Sequence, residues 1–168
     1  MKSKVEFKIR SRVFKFGDNV NSDVIIPGRY LIYIDPEPLS EHAFEVLGED
    51  YPDKLREFDI LVAGENFGCG SAREQAVTAI QGLGIHAVVA SSFARAFYRN
   101  AINRGFLIVE CPELVADVHE GDEIVVDVSS DQIHKGDRIY GFPELPESVQ
   151  RILDAGGLTA YLKSVAER

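Results

Sequence analysis

Cysteine is nearly missing from this sequence. Cys69 and Cys111 are the only two in 168 residues. Two cysteines build no disulfide framework. With no CxxC pair and no Cys/His cluster, the chain carries no signature of a metal or iron–sulfur site of its own. Long apolar runs are missing too. None approaches the roughly 20 residues of a membrane-spanning helix. The charged start, Met1-Lys2-Ser3-Lys4, leads into alternation and not into an apolar signal core, so a cytoplasmic location is expected. Basic residues are the minority, 18 Lys+Arg against 27 Asp+Glu, for a formal net charge of -9 and a pI near 4.9. That balance excludes the electrostatic footprint of a nucleic-acid binder or of a ligand for anionic membranes. An anionic substrate must then be met by a few placed arginines. Repeats and low-complexity segments are absent. With 45% hydrophobic and 27% charged residues, the chain reads as globular, and its length suits one domain, 1–168.

Residues 5–13 alternate, with Val5, Phe7, Ile9 and Val13 on one face and only Ser11 breaking the pattern, which predicts a half-buried strand. A polar turn, Gly17 to Asp23, leads into the apolar run Val24-Ile25-Ile26 stopped by Pro27. Residues 28–57 read as a long, partly helical surface excursion. From 58 to 110 the texture is strand–helix–strand–helix–strand: strands over 58–63, 85–90 and 106–109, helices over 71–81 and 93–103, with Gly82, Gly84 and Gly105 as stops. Short connections of this kind imply parallel pairing. After Pro112, residues 121–128 and 135–140 read as two antiparallel strands joined by a polar turn. One or two helices follow from about Pro146, separated at Gly156-Gly157. The fold class is α/β, a parallel βαβαβ core with added antiparallel strands.

The loop Gly64-Glu65-Asn66-Phe67-Gly68-Cys69-Gly70-Ser71 lies between a strand and a helix, where backbone N–H groups attract anions. It fails both common nucleotide motifs. Arg73 stands where a dinucleotide fingerprint needs Gly or Ala, and no Gly-Lys-Ser/Thr closes the loop. Ser71-Ala72-Arg73-Glu74 fits a capping box, so Ser71 as a plain N-cap competes with any chemical role. Arg73 argues for chemistry. A cation in the first helical turn opposes the macrodipole unless it faces a carboxylate, which arginine grips with two parallel hydrogen bonds. Arg95 opens the next helix, capped by Ser91 or Ser92, and is a second candidate for the same anion. The four histidines have no ligand spacing, and Cys69 has no histidine near it in sequence to activate it.

Three segments, in order, resemble the aconitase superfamily: Gly17 to Pro27, Gly68-Cys69-Gly70-Ser71-Ala72-Arg73-Glu74, and Ser92-Phe93-Ala94-Arg95 with Asn100 and Gly105. A stand-alone chain of this length resembles the superfamily's small subunits, those of the isopropylmalate dehydratase and homoaconitase families, in their short archaeal-type form. The resemblance implies a swivelling β/β/α domain. It also implies a large partner subunit carrying a [4Fe-4S] cluster, with no cofactor on this chain. The activity implied is dehydration of a 2-hydroxy acid and rehydration at the neighbouring carbon. Ser71 matches the serine acting as alkoxide base. Arg73 matches an arginine holding a substrate carboxylate, with Gly70 and Ala72 beside it. Asp23 matches an acidic residue supporting a histidine of the partner. Ala72 departs from the second serine common in aconitases. The stretch after Pro27 approaches the variable arm of the substrate in this family. Here Leu31 and Ile32 offer an apolar wall suited to a branched alkyl group, where homoaconitase-like relatives have an arginine at the position of Ile32.

The residue types suit that reaction. A proton beside a carboxylate is weakly acidic, and a serine hydroxyl serves as its base only where N–H groups and cations stabilise the alkoxide. Three readings compete. They are a small subunit acting on isopropylmalate in leucine biosynthesis, one acting on homoaconitate, and a non-catalytic anion-binding module in which Ser71 is only a cap. Leu31 and Ile32 as ordinary core residues is the matching plain alternative. Homo-oligomerisation of the isolated chain is left open.

Overall fold

The computed structural model describes residues 7–167, so Val5 and Glu6 of the expected first strand lie outside the described residues. Strand β1 (Lys8–Lys15) is followed by three short helices, α1 (Ser22–Ile25), α2 (Pro36–Ser40) and α3 (Tyr51–Leu55). Then come β2 (Ile60–Ala63), α4 (Glu74–Gly82), β3 (Ala87–Ala90), α5 (Arg95–Asn103), β4 (Leu107–Glu110) and α6 (Pro112–Asp117). The remainder is β5 (Glu123–Asp127), β6 (Gln132–Lys135), β7 (Arg138–Gly141), α7 (Glu147–Asp154) and α8 (Leu158–Ala166).

One mixed sheet of seven strands runs β4-β3-β2-β1-β5-β6-β7. The first four strands are parallel, in the registers Val13↔Ile60, Ile60↔Ala87 and Ala87↔Leu107. From β1 onward the pairing is antiparallel, with Ile9 opposite Val126 and Val126 opposite Ile133. Strands β2 and β3 are buried at every position, as continuous apolar runs covered on both faces must be. Helices α4 and α5 cover one face, where Val77, Ile80, Phe97 and Ala101 meet Leu61, Val88 and Ile108. On the other face Leu114 of α6 packs with Val62, Val89, Ile124 and Ile133.

Four expectations change. Residues 28–57 are no surface excursion: Leu39, Ala43, Phe44 and Leu55 are fully buried, because the short helices fold their apolar positions back onto the first core. The antiparallel part has three strands. Residues 132–135 pair on both sides, with a hairpin turn at Gly136-Asp137. Helix α4 starts at Glu74, two residues later than the capping box implies, and α5 starts at Arg95 with no side-chain cap. Ser11 is not a defect in β1. Its hydroxyl donates to the Arg12 carbonyl at 2.6 Å and accepts from the Asp59 N–H at 3.0 Å, so it is buried with its bonds made. The two C-terminal helices and the break at Gly156-Gly157 are as expected.

Candidate active site

Three loops meet at the C-terminal ends of β1, β2 and β3, the edge where open α/β sheets bind ligands. The backbone itself joins them. Gly64 N–H donates to Gly17 O, Asn19 N–H to Glu65 O, Gly68 N–H to Val20 O and Ser22 N–H to Cys69 O, all within 3.0 Å. On the other side Phe67 N–H donates to Ser92 O at 3.1 Å and Ala94 N–H to Phe67 O at 2.9 Å. Side chains finish the lattice. Asp18 Oδ1 accepts from Glu65 N–H at 2.7 Å, and Ser92 Oγ accepts from Asn66 N–H at 2.8 Å. Ser92 therefore holds the glycine loop and does not cap α5. Asn19 and Asn66, both in the left-handed conformation that asparagine tolerates, are joined by a 3.0 Å amide–amide bond.

On this base the loop presents residues 70–73. Gly70 has φ +92, and a Cβ there would fall 2.7 Å from Asn21 Oδ1, so only glycine lets the loop pass so close to Asn21. Gly70, Ser71 and Ala72 are exposed. Among the described residues, the Ser71 hydroxyl and the N–H groups of residues 70–72 have no partner within the chain. Ser71 is thus not the N-cap of α4. Arg73 occupies that position in extended conformation, and Glu74, in the first turn, has the sign the macrodipole favours. Arg73 bends back to Asp23, with Nη1 2.5 Å from Oδ1, its side chain 20% exposed against 60% for the aspartate. The carboxylate it faces within the chain is thus Asp23's. The rest of its guanidinium fork lies over the backbone of Gly28, where a Cβ would be 3.6 Å from Nη1.

Asp23 itself is placed by a residue that the motif reading passed over. Asn21 Oδ1 accepts the Asp23 N–H at 2.8 Å and caps α1. Asn21 before Ser22-Asp23 and an apolar run is an N-cap signal that lies inside the polar turn Gly17 to Asp23. The structure therefore brings Asp23, Gly70, Ser71, Ala72 and Arg73 together. The stretch carrying Leu31 and Ile32 joins them through Gly28. Leu31 is half-buried against the first core, whereas Ile32 is 78% exposed and is no core residue.

Other candidates lie apart. Arg95 is exposed and borders a separate hollow of about 200 Å³ with Tyr98, Arg99 and Glu110. A cavity of about 470 Å³ opens near the start of β4, between Phe106, Leu107 and α7, away from the loop ends that carry Ser71. Cys111 is buried with its Sγ 3.7 Å from Gly141 O, and burial pushes its thiol up. It lies in the second core and Cys69 is in the glycine loop, so this chain offers no donor set for an iron–sulfur cluster. No group of three His, Cys, Asp or Glu able to hold a metal occurs among the described residues, and no helix there is long and apolar enough to cross a membrane.

Comparison with known proteins places the chain in a family. Residues 36–114 match the aconitase C-terminal domain family. The 3-isopropylmalate dehydratase small subunit of Thermodesulfovibrio yellowstonii is 46% identical, over 93% of this chain and 94% of its own. The 2,3-dimethylmalate dehydratase small subunit of Eubacterium barkeri is also 46% identical, over 94% and 98%. A crystal structure of 3-isopropylmalate dehydratase from Methanocaldococcus jannaschii superposes with a TM-score of 0.89 at 43% identity, covering 96% of each chain. The mixed α/β sheet is the aconitase swivel-domain fold, and the chain belongs to the aconitase-family hydro-lyases, in the 3-isopropylmalate dehydratase small-subunit family.

Proposed function

We propose that this chain is the small subunit of a hydro-lyase that interconverts 2- and 3-isopropylmalate in leucine biosynthesis, with Ser71 as the base. The observation that carries this is the exposed, unbonded Ser71 hydroxyl amid the unengaged N–H groups of residues 70–72. Those dipoles and the start of α4 stabilise negative charge on Ser71 Oγ. As alkoxide it removes the proton from the carbon next to a carboxylate, while the hydroxyl leaves from the neighbouring carbon. Ser71 then returns the proton to the carbon that lost the hydroxyl, as hydroxide adds to the carbon that lost the proton. Arg73 keeps free guanidinium donors for a substrate carboxylate while Asp23 fixes its direction. Through its other oxygen Asp23 is free to orient a histidine of the partner.

Loss of the hydroxyl calls for a Lewis acid. The donors present on this chain do not fit a [4Fe-4S] cluster, so we assign the cluster to a large partner subunit and the reaction to the cytoplasmic complex of the two. The relatives named above act on malates bearing alkyl arms. An exposed Ile32 suits such an arm, whereas a third carboxylate on that wall loses its water without gaining a partner, at a cost of several kcal/mol. The test is co-expression with a candidate large subunit. The complex turns over 3-isopropylmalate and the chain alone does not. Turnover by the chain alone refutes the reading, and a higher kcat/KM for homoaconitate moves the substrate to that branch. Ile32→Arg shifts the ratio of the two kcat/KM values toward the tricarboxylate, and an unchanged ratio shows that this stretch does not read the arm.

A further inference from the structure

The stretch that carries Ile32 is held by a polar cluster that the sequence motifs leave out. Glu45 is at its centre, its side chain 18% exposed. One carboxylate oxygen accepts from Arg29 Nη2, and the other lies 2.8 Å from His42 Nδ1. The His42 ring stacks on Tyr30, with centroids 3.7 Å apart and planes 4° from parallel, and the Arg29 guanidinium lies 4.8 Å from the same Tyr30 ring. Three side chains, Arg29, Tyr30 and His42, are thus gathered around the Glu45 carboxylate and join segments 29–30 and 42–45. Burial opposes that charge, but Tyr30, His42 and Arg29 outweigh it and hold Glu45 below the usual carboxylate range.

The second segment is fixed from below. Phe44, between His42 and Glu45, is fully buried at φ +59, a left-handed conformation that is costly for a bulky residue. It is retained because its ring stacks on Phe16, centroids 4.9 Å apart, and its N–H donates to Ile25 O at 2.9 Å. Arg29, a charged residue beside the wall, is turned toward Glu45 through Nη2. Just beyond Tyr30 the backbone makes local turn bonds, Leu31 N–H to Gly28 O at 3.2 Å and Tyr33 N–H to Tyr30 O at 3.0 Å. Ile32, 78% exposed, is therefore placed by what fixes residues 29 and 30 together with the packing of Leu31 against the first core.

We infer that Arg29, Tyr30, His42 and Glu45 form a clamp that positions the Leu31–Ile32 wall against the substrate arm, with Glu45 as the positioning residue. This rests on the reading of Ile32 given above. The clamp acts on binding and discrimination, not on the proton transfer, because Ser71 stands on a different loop with its own supports.

The test uses the complex with a large subunit and two probes, 3-isopropylmalate and homoaconitate. Glu45→Ala removes both acceptors. It should lower kcat/KM for 3-isopropylmalate about tenfold, carried by KM with kcat within about threefold, and narrow the preference over homoaconitate. Glu45→Gln keeps one carbonyl acceptor and should recover part of the loss. Hydrogen exchange of the Leu31 and Tyr33 amides in the isolated chain should be faster in Glu45→Ala. That measurement needs no turnover. If Ile32→Arg shifts the substrate ratio while Glu45→Ala leaves KM and exchange unchanged, the wall stands and the clamp is overturned. If Glu45→Ala speeds exchange but neither variant moves the ratio, the wall reading fails and this inference falls with it. A loss confined to kcat, or a general loss of melting temperature, makes Glu45 merely structural and also overturns the clamp.

Discussion

Replacing Ser71 by alanine separates the two roles that its sequence context allows. A serine that caps a helix is worth about 1 kcal/mol. In the structure Ser71 is exposed, lies outside α4 and makes no hydrogen bond among the described residues. Its hydroxyl contributes nothing to the folded state that water does not replace, so Ser71→Ala should change stability by less than about 0.5 kcal/mol. For a chain of this size that is a melting shift under about 2 °C. The control is Asn21→Ala. Asn21 does cap, accepting the Asp23 N–H at 2.8 Å, and its side chain fills the space against Gly70. Its loss should cost about 1 kcal/mol, or about 2–4 °C. In the complex, Ser71→Ala should lower kcat by at least the 10²–10⁴-fold or so that a general base contributes. The assays are thermal melts of each purified chain and single-substrate kinetics of each complex. A Ser71→Ala chain that melts as early as Asn21→Ala yet turns over normally would establish the cap and refute the base. Normal melting with normal turnover would refute both roles.

Arg73→Lys keeps the charge but loses the fork that holds Asp23 and that the proposed function also gives to a substrate carboxylate, so KM should rise or kcat fall while melting stays nearly constant. Gly68→Ala should be far more damaging. At φ +80 a new Cβ would sit 2.3 Å from Phe97 Cγ, inside a cluster of Phe67, Phe93 and Phe97, and strain plus overpacking add to about 2–5 kcal/mol. Gly17→Ala, with nothing within 4 Å, is its neutral control in urea titration. Acid should weaken the antiparallel half. Tyr140, Lys135 and Arg138 hold Asp117 below the usual carboxylate range, and Ser129, with Lys8, does the same for Asp127. A lowered folded pKa gives stability that is present above the unfolded value and is lost as pH falls through the folded one. Melting temperature should therefore decline below about pH 4, less steeply in Asp127→Asn, and equal acid slopes in the two proteins would contradict the assignment.

Local chemistry made part of this molecule legible in its sequence. The parallel strands declare themselves because, buried on both faces, they must be apolar at every position, as Ile60 to Ala63 and Ala87 to Ala90 are. The glycine loop declares itself because close backbone approach admits nothing larger at Gly70. Periodicity is a poor guide to where a helix begins. Ser71-Ala72-Arg73-Glu74 satisfies a capping pattern, but tertiary bonds of the loop to residues 17–22 and 91–94 keep the chain out of the helix up to Arg73. The same limit applies to residues 28–57. Their helices are one turn long, too short for a period to show, and Leu39, Phe44 and Leu55 become core only when the chain folds back onto it. The Arg73–Asp23 pair spans 50 positions and the Arg29–Glu45 pair 16, and neither spacing is a motif. Sequence by itself determined which residues were able to carry the chemistry and which strands had to be parallel. Only the tertiary structure decided that Ser71 is free, that Arg73 is braced and that Ile32 faces outward, because each depends on contacts between segments that no local pattern encodes.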